Sequence, residues 1–230
     1  MNVIEIKNLN KTYNSSDVVV QAVRGVSLNI QQGEFTAIVG PSGSGKTTLL
    51  NMLGGLDRPT DGQIIIDGVD MTQLSNNKLT EFRLQNIGFV FQAYNLIPVL
   101  TAQENVEFIM HLQGKPKAQR HERALELLSA VGLGDRTNSR PGKLSGGQQQ
   151  RVAVARALAS QPKYVLADEP TANLDSASTN NLLDIMEQLN RQHHVTFIFS
   201  THDQRVVKKA RRVITLEDGQ IISDIQQKPE

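Results

Sequence analysis

The 230-residue sequence contains no cysteine and no tryptophan, and only 4% of its residues are aromatic. Without thiols there can be no disulfide framework and no thiolate metal site, and a reducing compartment is permitted. The scarcity of aromatics means an aliphatic core, which suits parallel strands covered on both faces by helices. No apolar run approaches the roughly 18 residues needed to read as a membrane-spanning helix. The opening stretch MNVIEIKNLNKTY lacks the basic start and apolar block of a secretion signal. Any membrane part is therefore expected on other chains. A formal net charge of +1 neither demands nor excludes a nucleic-acid partner, because a local patch can hide in a balanced total. The five histidines show no ligand spacing. His111, His121, His193 and His194 read as surface or lobe residues, and no transition metal is expected.

The hydrophobic fraction of 39% is ordinary for a globular chain. Residues 3–9 read as a strand, and 18–30 as two strands broken near Arg24–Gly25. FTAIVG at 35–40, QIIIDG at 63–68 and NIGFVFQ at 86–92 are further strands, with helices at 47–56 and 76–85. From about 93 to 160 strand signals vanish and three helical segments follow one another. YVLAD at 164–168 and VTFIFST at 195–201 return to strand, with helices at 176–192 and 203–210. A closing hairpin turns at Asp218–Gly219, and the last residues, QQKPE, are expected to fray. The expectation is one α/β domain: a core of 1–92 and 161–230 with an inserted helical lobe at 93–160.

The segment GPSGSGKTT, residues 40–48, follows a strand and opens a helix. It matches the G-x-x-x-x-G-K-[ST] phosphate loop. Its glycines let backbone N–H groups converge on phosphate oxygens, and the following helix directs its positive end to the same point. Gly40, Ser42, Gly43, Ser44, Gly45, Lys46, Thr47 and Thr48 are the candidate ligands. Lys46 is expected on the β- and γ-phosphates and Thr47 on Mg²⁺. In YVLADEP, an apolar strand delivers Asp168 at its carboxyl end as a second Mg²⁺ group. Glu169, one residue on, is placed to polarise an attacking water as general base. In LSGGQQQRVAVARAL (144–158), Ser145, Gly146 and Gly147 form a second anion-binding helix start. Two such cradles in one chain suggest that each nucleotide is shared between two subunits.

Together, GPSGSGKTT, LSGGQQQRVAVARAL, YVLADEPTANLD and STHD (200–203) resemble the ATPase domains of ABC transporters, over nearly the whole chain from Tyr13 to about Gly219. That resemblance implies an α/β P-loop NTPase (RecA-like) fold with an antiparallel β subdomain and the inserted helical lobe. It implies ATP and Mg²⁺ as ligands and an ATP-bound homodimer. Tyr13 would stack on adenine. Gln92 would sit at the hinge to the helical lobe, touching Mg²⁺ or the attacking water. Ser145, Gly146, Gly147 and Gln148 would close on the γ-phosphate held by the opposite subunit. Asp175 would communicate across the dimer, while also capping the helix that follows. His202 would contact the γ-phosphate and hold the water with Glu169.

The phrasing from GPSGSGKTTLLNMLGGLDRPTDG through LADEPTANLD is similar to the lipoprotein-releasing and macrolide-exporter branch, and close to the cell-division ATPase. Such a subunit works at the cytoplasmic face of the bacterial inner membrane through an integral permease-like partner with four helices and an extracytoplasmic domain. Tyr94, Leu96, Ile97, Pro98, Leu100 and Glu104 are candidates either for the docking surface or for lobe core. Two rivals stay open. One is a cargo-free regulator of a membrane-linked cell-wall hydrolase or signalling system. The other is a soluble nucleic-acid or ribosome-associated ATPase, favoured only by the basic cluster Lys208, Lys209, Arg211 and Arg212; no nucleic acid is expected.

Overall fold

The short apolar runs of the sequence become the middle strands of a six-stranded sheet. In the computed structural model, which describes residues 2–15 and 18–227, the parallel strands are β3 (Phe35–Val39), β6 (Ile87–Val90), β7 (Tyr164–Asp168) and β8 (Thr196–Ser200). With β9 (Arg212–Glu217) and β10 (Gln220–Gln226) they lie in the order β10-β9-β3-β8-β7-β6. All neighbours are parallel except the closing hairpin β9–β10. Alternate residues of one strand enter different cores: Val165 and Ala167 join one apolar cluster, Tyr164 and Leu166 the other. Burial on both faces is why these strands are apolar throughout rather than alternating.

A second, antiparallel sheet is built from β1 (Asn2–Ser15), β2 (Val18–Gln31), β4 (Asp61–Ile66) and β5 (Val69–Asp70), in the order β2-β1-β4-β5. Its inner face, with Ile4, Ile6, Ile30 and Ile64, packs on the helix α1 (Lys46–Leu53) and on one face of the larger sheet. Buried Tyr164 donates its hydroxyl to the Leu53 carbonyl at 2.6 Å, tying the end of α1 to β7. A fully buried aromatic ring of this kind contributes roughly 2–3 kcal/mol.

The other helices are α2 (Asn76–Asn86), α3 (Ala102–Leu112), α4 (Lys117–Ala130), α5 (Gly146–Ala159), α6 (Ser176–His193) and α7 (Gln204–Lys209). Between β6 and β7 the chain contains α3, α4 and α5 and no strand. Val106, Met110, Leu127, Leu128 and Val152 are their shared buried contacts. Thr101 and Glu104 form a reciprocal capping box at the start of α3.

Two expectations need correction, and one unassigned stretch forms a strand. The two strands read in 18–30 are one strand with a bulge: Gly25 adopts a φ of +59°, and its N–H turns aside to the Asn10 side chain at 2.8 Å. The neighbouring Arg24 N–H leaves the ladder for the Gly219 carbonyl, at 2.8 Å. The two-residue strand β5, in a stretch given no assignment, pairs with β4. In the segment expected to fray, Gln226 belongs to β10 and Gln227 donates its side-chain amide to the Val207 and Ala210 carbonyls at 2.6 and 2.8 Å. Residues 228–230 lie outside the described residues. Among the described residues, no helix is long and apolar enough to cross a membrane.

Candidate functional site: a phosphate cleft and a separate helix start

The carboxyl ends of the parallel strands open onto a cleft of about 1060 Å³. Its floor is the loop between β3 and α1. Two glycines there are obligatory. A Cβ on Gly45, at φ +99°, would sit 2.2 Å from the Ala22 carbonyl; one on Gly40 would sit 2.0 Å from the Leu216 carbonyl. The loop is thus pressed against both sheets, and Gly40, Pro41, Ser42, Gly43 and Gly45 line the cleft. The first N–H groups of α1 have no acceptor within the helix.

Lys46 shows what this floor is built to hold. Its side chain is buried, and its ammonium donates to the Gly40 and Pro41 carbonyls at 2.9 Å each. No carboxylate among the described residues forms an ion pair with it. A buried cation with only neutral acceptors, beside converging amides, calls for an anion. Ser44 Oγ is also buried without a hydrogen-bond partner among the described residues. Next to Lys46, the Thr47 hydroxyl donates to Asp168 Oδ1 at 3.3 Å. With the cleft-lining Gln92, these oxygens form the hard donor set that Mg²⁺ prefers once phosphate supplies the rest. The residues present therefore fit a magnesium nucleotide.

On the opposite wall, Glu169 follows β7 in a left-handed conformation, φ +45°. Its N–H donates to the Ser200 carbonyl at 2.9 Å, joining the turn to the end of β8. Its carboxylate lies 2.8 Å from His202 Nδ1 and accepts from the Thr201 hydroxyl at 3.3 Å. Glu169, His202, Gln92, Tyr13, Thr47 and Thr48 all line the one cleft.

At the cleft's outer end Tyr13 is 42% exposed and held from behind. Its hydroxyl donates to Asp57 Oδ2 at 2.6 Å. Lys11 reaches Asp57 Oδ1 at 2.6 Å and lies 4.7 Å from the ring centroid. Burial, then the bond to Asp57, raises the pKa of the Tyr13 hydroxyl. Burial pushes the Asp57 carboxyl up, but Lys11 and Tyr13 outweigh it and the net shift is downward. Lys11 and Asp57 escaped the sequence reading. Their separation of 46 residues carries no local signal.

Ser145, Gly146, Gly147, Gln148 and Asp175 do not line this cleft. Ser145 caps α5: its Oγ accepts from the Gln148 N–H at 3.3 Å, and the Gln148 side chain accepts from the Ser145 N–H at 2.9 Å. The Gln148 carboxamide oxygen is thereby engaged within its own chain. Asp175 caps α6, accepting from the Ser178 N–H at 2.9 Å and its hydroxyl at 2.6 Å. These bonds from Ser178 lower its pKa. A Cβ on Gly147 would meet Ser178 Oγ at 2.9 Å, so the two helix starts lie side by side.

Of the proposed docking residues, Ile97 lines an apolar groove of about 430 Å³ with Phe89, Phe91, Phe108 and Ile109. Leu96 instead packs against the buried cluster around α3–α5. Leu100 and Glu104 border a shallower hollow, and the Tyr94 hydroxyl donates to the Asn173 carbonyl at 3.4 Å.

A glycine-rich loop between a parallel strand and a helix, with a buried lysine and a carboxylate from another parallel strand of the same sheet, defines a P-loop nucleotide-binding domain. Residues 23–172 match the ABC transporter family model, and the chain belongs to that family. It is 48% identical over 219 residues to an uncharacterised ABC transporter ATP-binding protein of Thermotoga maritima, covering 95% of this chain and 93% of that protein. It is 51% identical over 221 residues to the macrolide export ATP-binding/permease protein MacB of Hyphomonas neptunium, covering 96% of this chain but only 34% of that protein. A solved dimer of the ATP-binding cassette MJ0796, a Methanocaldococcus jannaschii protein, bound to ADP and Pi superposes with a TM-score of 0.89 at 43% identity, covering 98% of this chain and 99% of that one.

Proposed function

We propose that the chain is an ATP-hydrolysing subunit that dimerises around ATP and drives a separate membrane permease of the MacB-like export type. The observation that carries the reading is the single cleft that joins a buried, anion-seeking Lys46 to the Glu169–His202 pair. Lys46 and the loop amides bind the triphosphate, and Thr47, Asp168 and Gln92 hold Mg²⁺. The metal, when bound, neutralises phosphate charge. Glu169 accepts the proton of the attacking water, while His202 and Thr201 fix its carboxylate.

The signature residues 145–148 lie away from this cleft, so closure needs a second copy that brings its own Ser145 helix start to the γ-phosphate. The MJ0796 cassette, solved as a dimer with ADP and Pi, supports this arrangement. Residues 93–160 act as the helical subdomain that presents this start, with 1–92 and 161–230 as the core. Asp175, beside it, meets the opposite subunit. The apolar groove at Ile97 and Phe108, flanked by Arg83 and Arg156, takes a segment of the permease. That contact places the chain at the cytoplasmic face of the membrane.

Three of the four basic residues that favoured a nucleic-acid reading are engaged within the chain, which weighs against it. Lys209 is paired with Asp184 and Glu187, and Arg212 with Glu34 and Asp224. Arg211 is bound to the Gly33 carbonyl and to Asn190.

Two measurements test the proposal. Wild type should turn over Mg-ATP while Glu169→Gln loses at least about 100-fold in kcat and elutes as a dimer with ATP; equal rates would exclude Glu169 as the base. Lys46→Ala and Ser145→Arg, each inactive alone, should regain activity when mixed, because one composite site is then intact. No recovery would argue against shared sites.

A further inference from the structure

A buried glutamine outside the recognised site joins two segments that line it. Gln150 lies in the second turn of α5, five residues after the cap Ser145, and is fully buried. Its side-chain amide donates to the Phe91 carbonyl at 3.3 Å and to the Pro170 carbonyl at 2.8 Å. Phe91 precedes Gln92, and Pro170 follows Glu169. One NH₂ group therefore spans the backbone beside the hinge glutamine and the backbone beside the catalytic carboxylate. Both carbonyls lie past the ends of their strands, β6 at Val90 and β7 at Asp168, where no ladder partner is guaranteed. Asn173 adds a parallel strap, donating its side-chain amide to the Gln92 carbonyl at 3.0 Å.

The other end of the Gln150 side chain argues for a positional role. Its Oε1 is buried and has no hydrogen-bond partner among the described residues. A buried unsatisfied acceptor is a stability cost. Leucine, of similar size, would remove that cost but would also leave the Phe91 and Pro170 carbonyls without this donor. What leucine cannot do is hold two carbonyls from different loops at one distance from each other.

We propose that Gln150 is a positioning residue for hydrolysis: it fixes the Gln92 segment relative to the Glu169–Pro170 turn and ties both to the helix that begins with the signature. This rests on the assignment of the cleft as an ATPase site. Glu169 must address a water whose position Gln92 helps to define, and misplacement by about 1 Å can cost on the order of 100-fold in rate. Binding of the triphosphate depends on the loop at 40–48, which Gln150 does not touch. Its loss is therefore read in kcat and not in nucleotide affinity.

The test uses Gln150→Leu and Gln150→Glu in the full chain beside wild type and Glu169→Gln. Turnover, affinity for a fluorescent ATP analogue and thermal melting are measured on each. For Gln150→Leu, kcat should fall roughly 10- to 100-fold, with analogue affinity within about threefold and no matching loss of folded protein. A kcat within twofold of wild type would overturn the inference. So would a fall fully accounted for by unfolding. Gln150→Glu supplies a second readout should the leucine variant not fold. Its buried carboxylate faces two carbonyl oxygens and repels them, whereas the protonated form can donate to one. The ratio of its kcat to that of wild type should therefore rise several-fold between pH 8 and pH 6; a flat ratio would count against the bond. If wild type itself fails to hydrolyse ATP, the ATPase assignment falls; if wild type is active and Gln150→Leu matches it, only this inference falls.

Discussion

Removing Asp57 should weaken ATP binding without touching the phosphate cradle. The carboxylate holds Tyr13 by its hydroxyl and Lys11 by its ammonium, at 2.6 Å each, and Lys11 lies against the ring. In Asp57→Ala the ring is released to rotate, and binding must then order it. Immobilising one side chain costs about 0.5–1.5 kcal/mol, and a displaced cation–π contact adds about 0.5 kcal/mol at a partly exposed site. At about 1.4 kcal/mol per tenfold, the dissociation constant for ATP should rise roughly 5- to 30-fold. Asp57→Asn, which keeps an acceptor for the tyrosine hydroxyl, should fall between that variant and wild type. Inorganic tripolyphosphate, which has no base to stack, is the control. It should bind wild type and Asp57→Ala equally in competition with a fluorescent nucleotide. If tripolyphosphate loses as much affinity as ATP, the cluster acts through the loop at 40–48 and the reasoning about Tyr13 is wrong. Unchanged ATP affinity would equally refute it.

Gly45→Ala should abolish nucleotide binding and destabilise the fold by about 3 kcal/mol or more, since its Cβ meets a backbone carbonyl at 2.2 Å with φ at +99°; binding together with chemical denaturation checks both. Arg212→Met should lower stability by about 3 kcal/mol, because the arginine side chain, 12% exposed, leaves Glu34 at 15% without its partner. In a chain of this size that corresponds to a melting shift of roughly 6–12 °C. Acid should unfold the protein through Asp57, Asp203 and Asp224, whose pKa values all lie below the ordinary 3.8. A depressed folded-state pKa means the unfolded chain binds more protons. The stabilisation is therefore complete above that ordinary value and lost as pH falls through the lower folded-state values. Thermal melts between pH 5 and pH 2 should show the drop, with Asp224→Asn less sensitive than wild type.

Local signals carried far in this chain. The strands at 35–39 and 164–168 were legible because burial on both faces makes them short and wholly apolar. The phosphate loop was legible because its chemistry is contiguous. What escaped depends on distant partners. The bulge at Gly25 looked like a strand end, since the bonds it makes go to Asn10 and, through Arg24, to Gly219. The carboxyl-terminal segment looked free because its anchor, the Gln227 amide on the end of α7, is a tertiary contact. Leu96 and Ile97 are adjacent and equally apolar, yet one enters the core and the other a surface groove. Gln150 is the middle case: it sits inside a recognised motif, but among three successive glutamines nothing local marks the one that turns inward.

Backbone strain in the chain points to the same helix. Most left-handed non-glycine residues here are Asn, Asp or His, which tolerate that region; Tyr94, Gln161 and Glu169 are not of that kind, and of these Tyr94 and Glu169 flank the cleft segments. Each costs on the order of 1–3 kcal/mol and persists only where neighbours over-determine it. At Glu169 the N–H is bound to Ser200 and the carbonyl accepts from Ala172 at 3.2 Å, while Gln150 takes the next carbonyl along. At Tyr94 the carbonyl accepts from Arg156 at 2.8 Å, and the same guanidinium also holds the carbonyl of Asn95. Burial lowers the pKa of that arginine, a desolvation tolerable only because the carbonyls solvate it. Both strained turns are thus held by polar side chains of α5, and the first residue of that helix follows Ser145. If a second copy binds at Ser145, the force of that contact enters a helix already bonded to the segment at 91–95 and to the turn at 169–170. Releasing either bond would let its turn relax toward an ordinary conformation, and at 169–170 the Glu169 carboxylate would move with it.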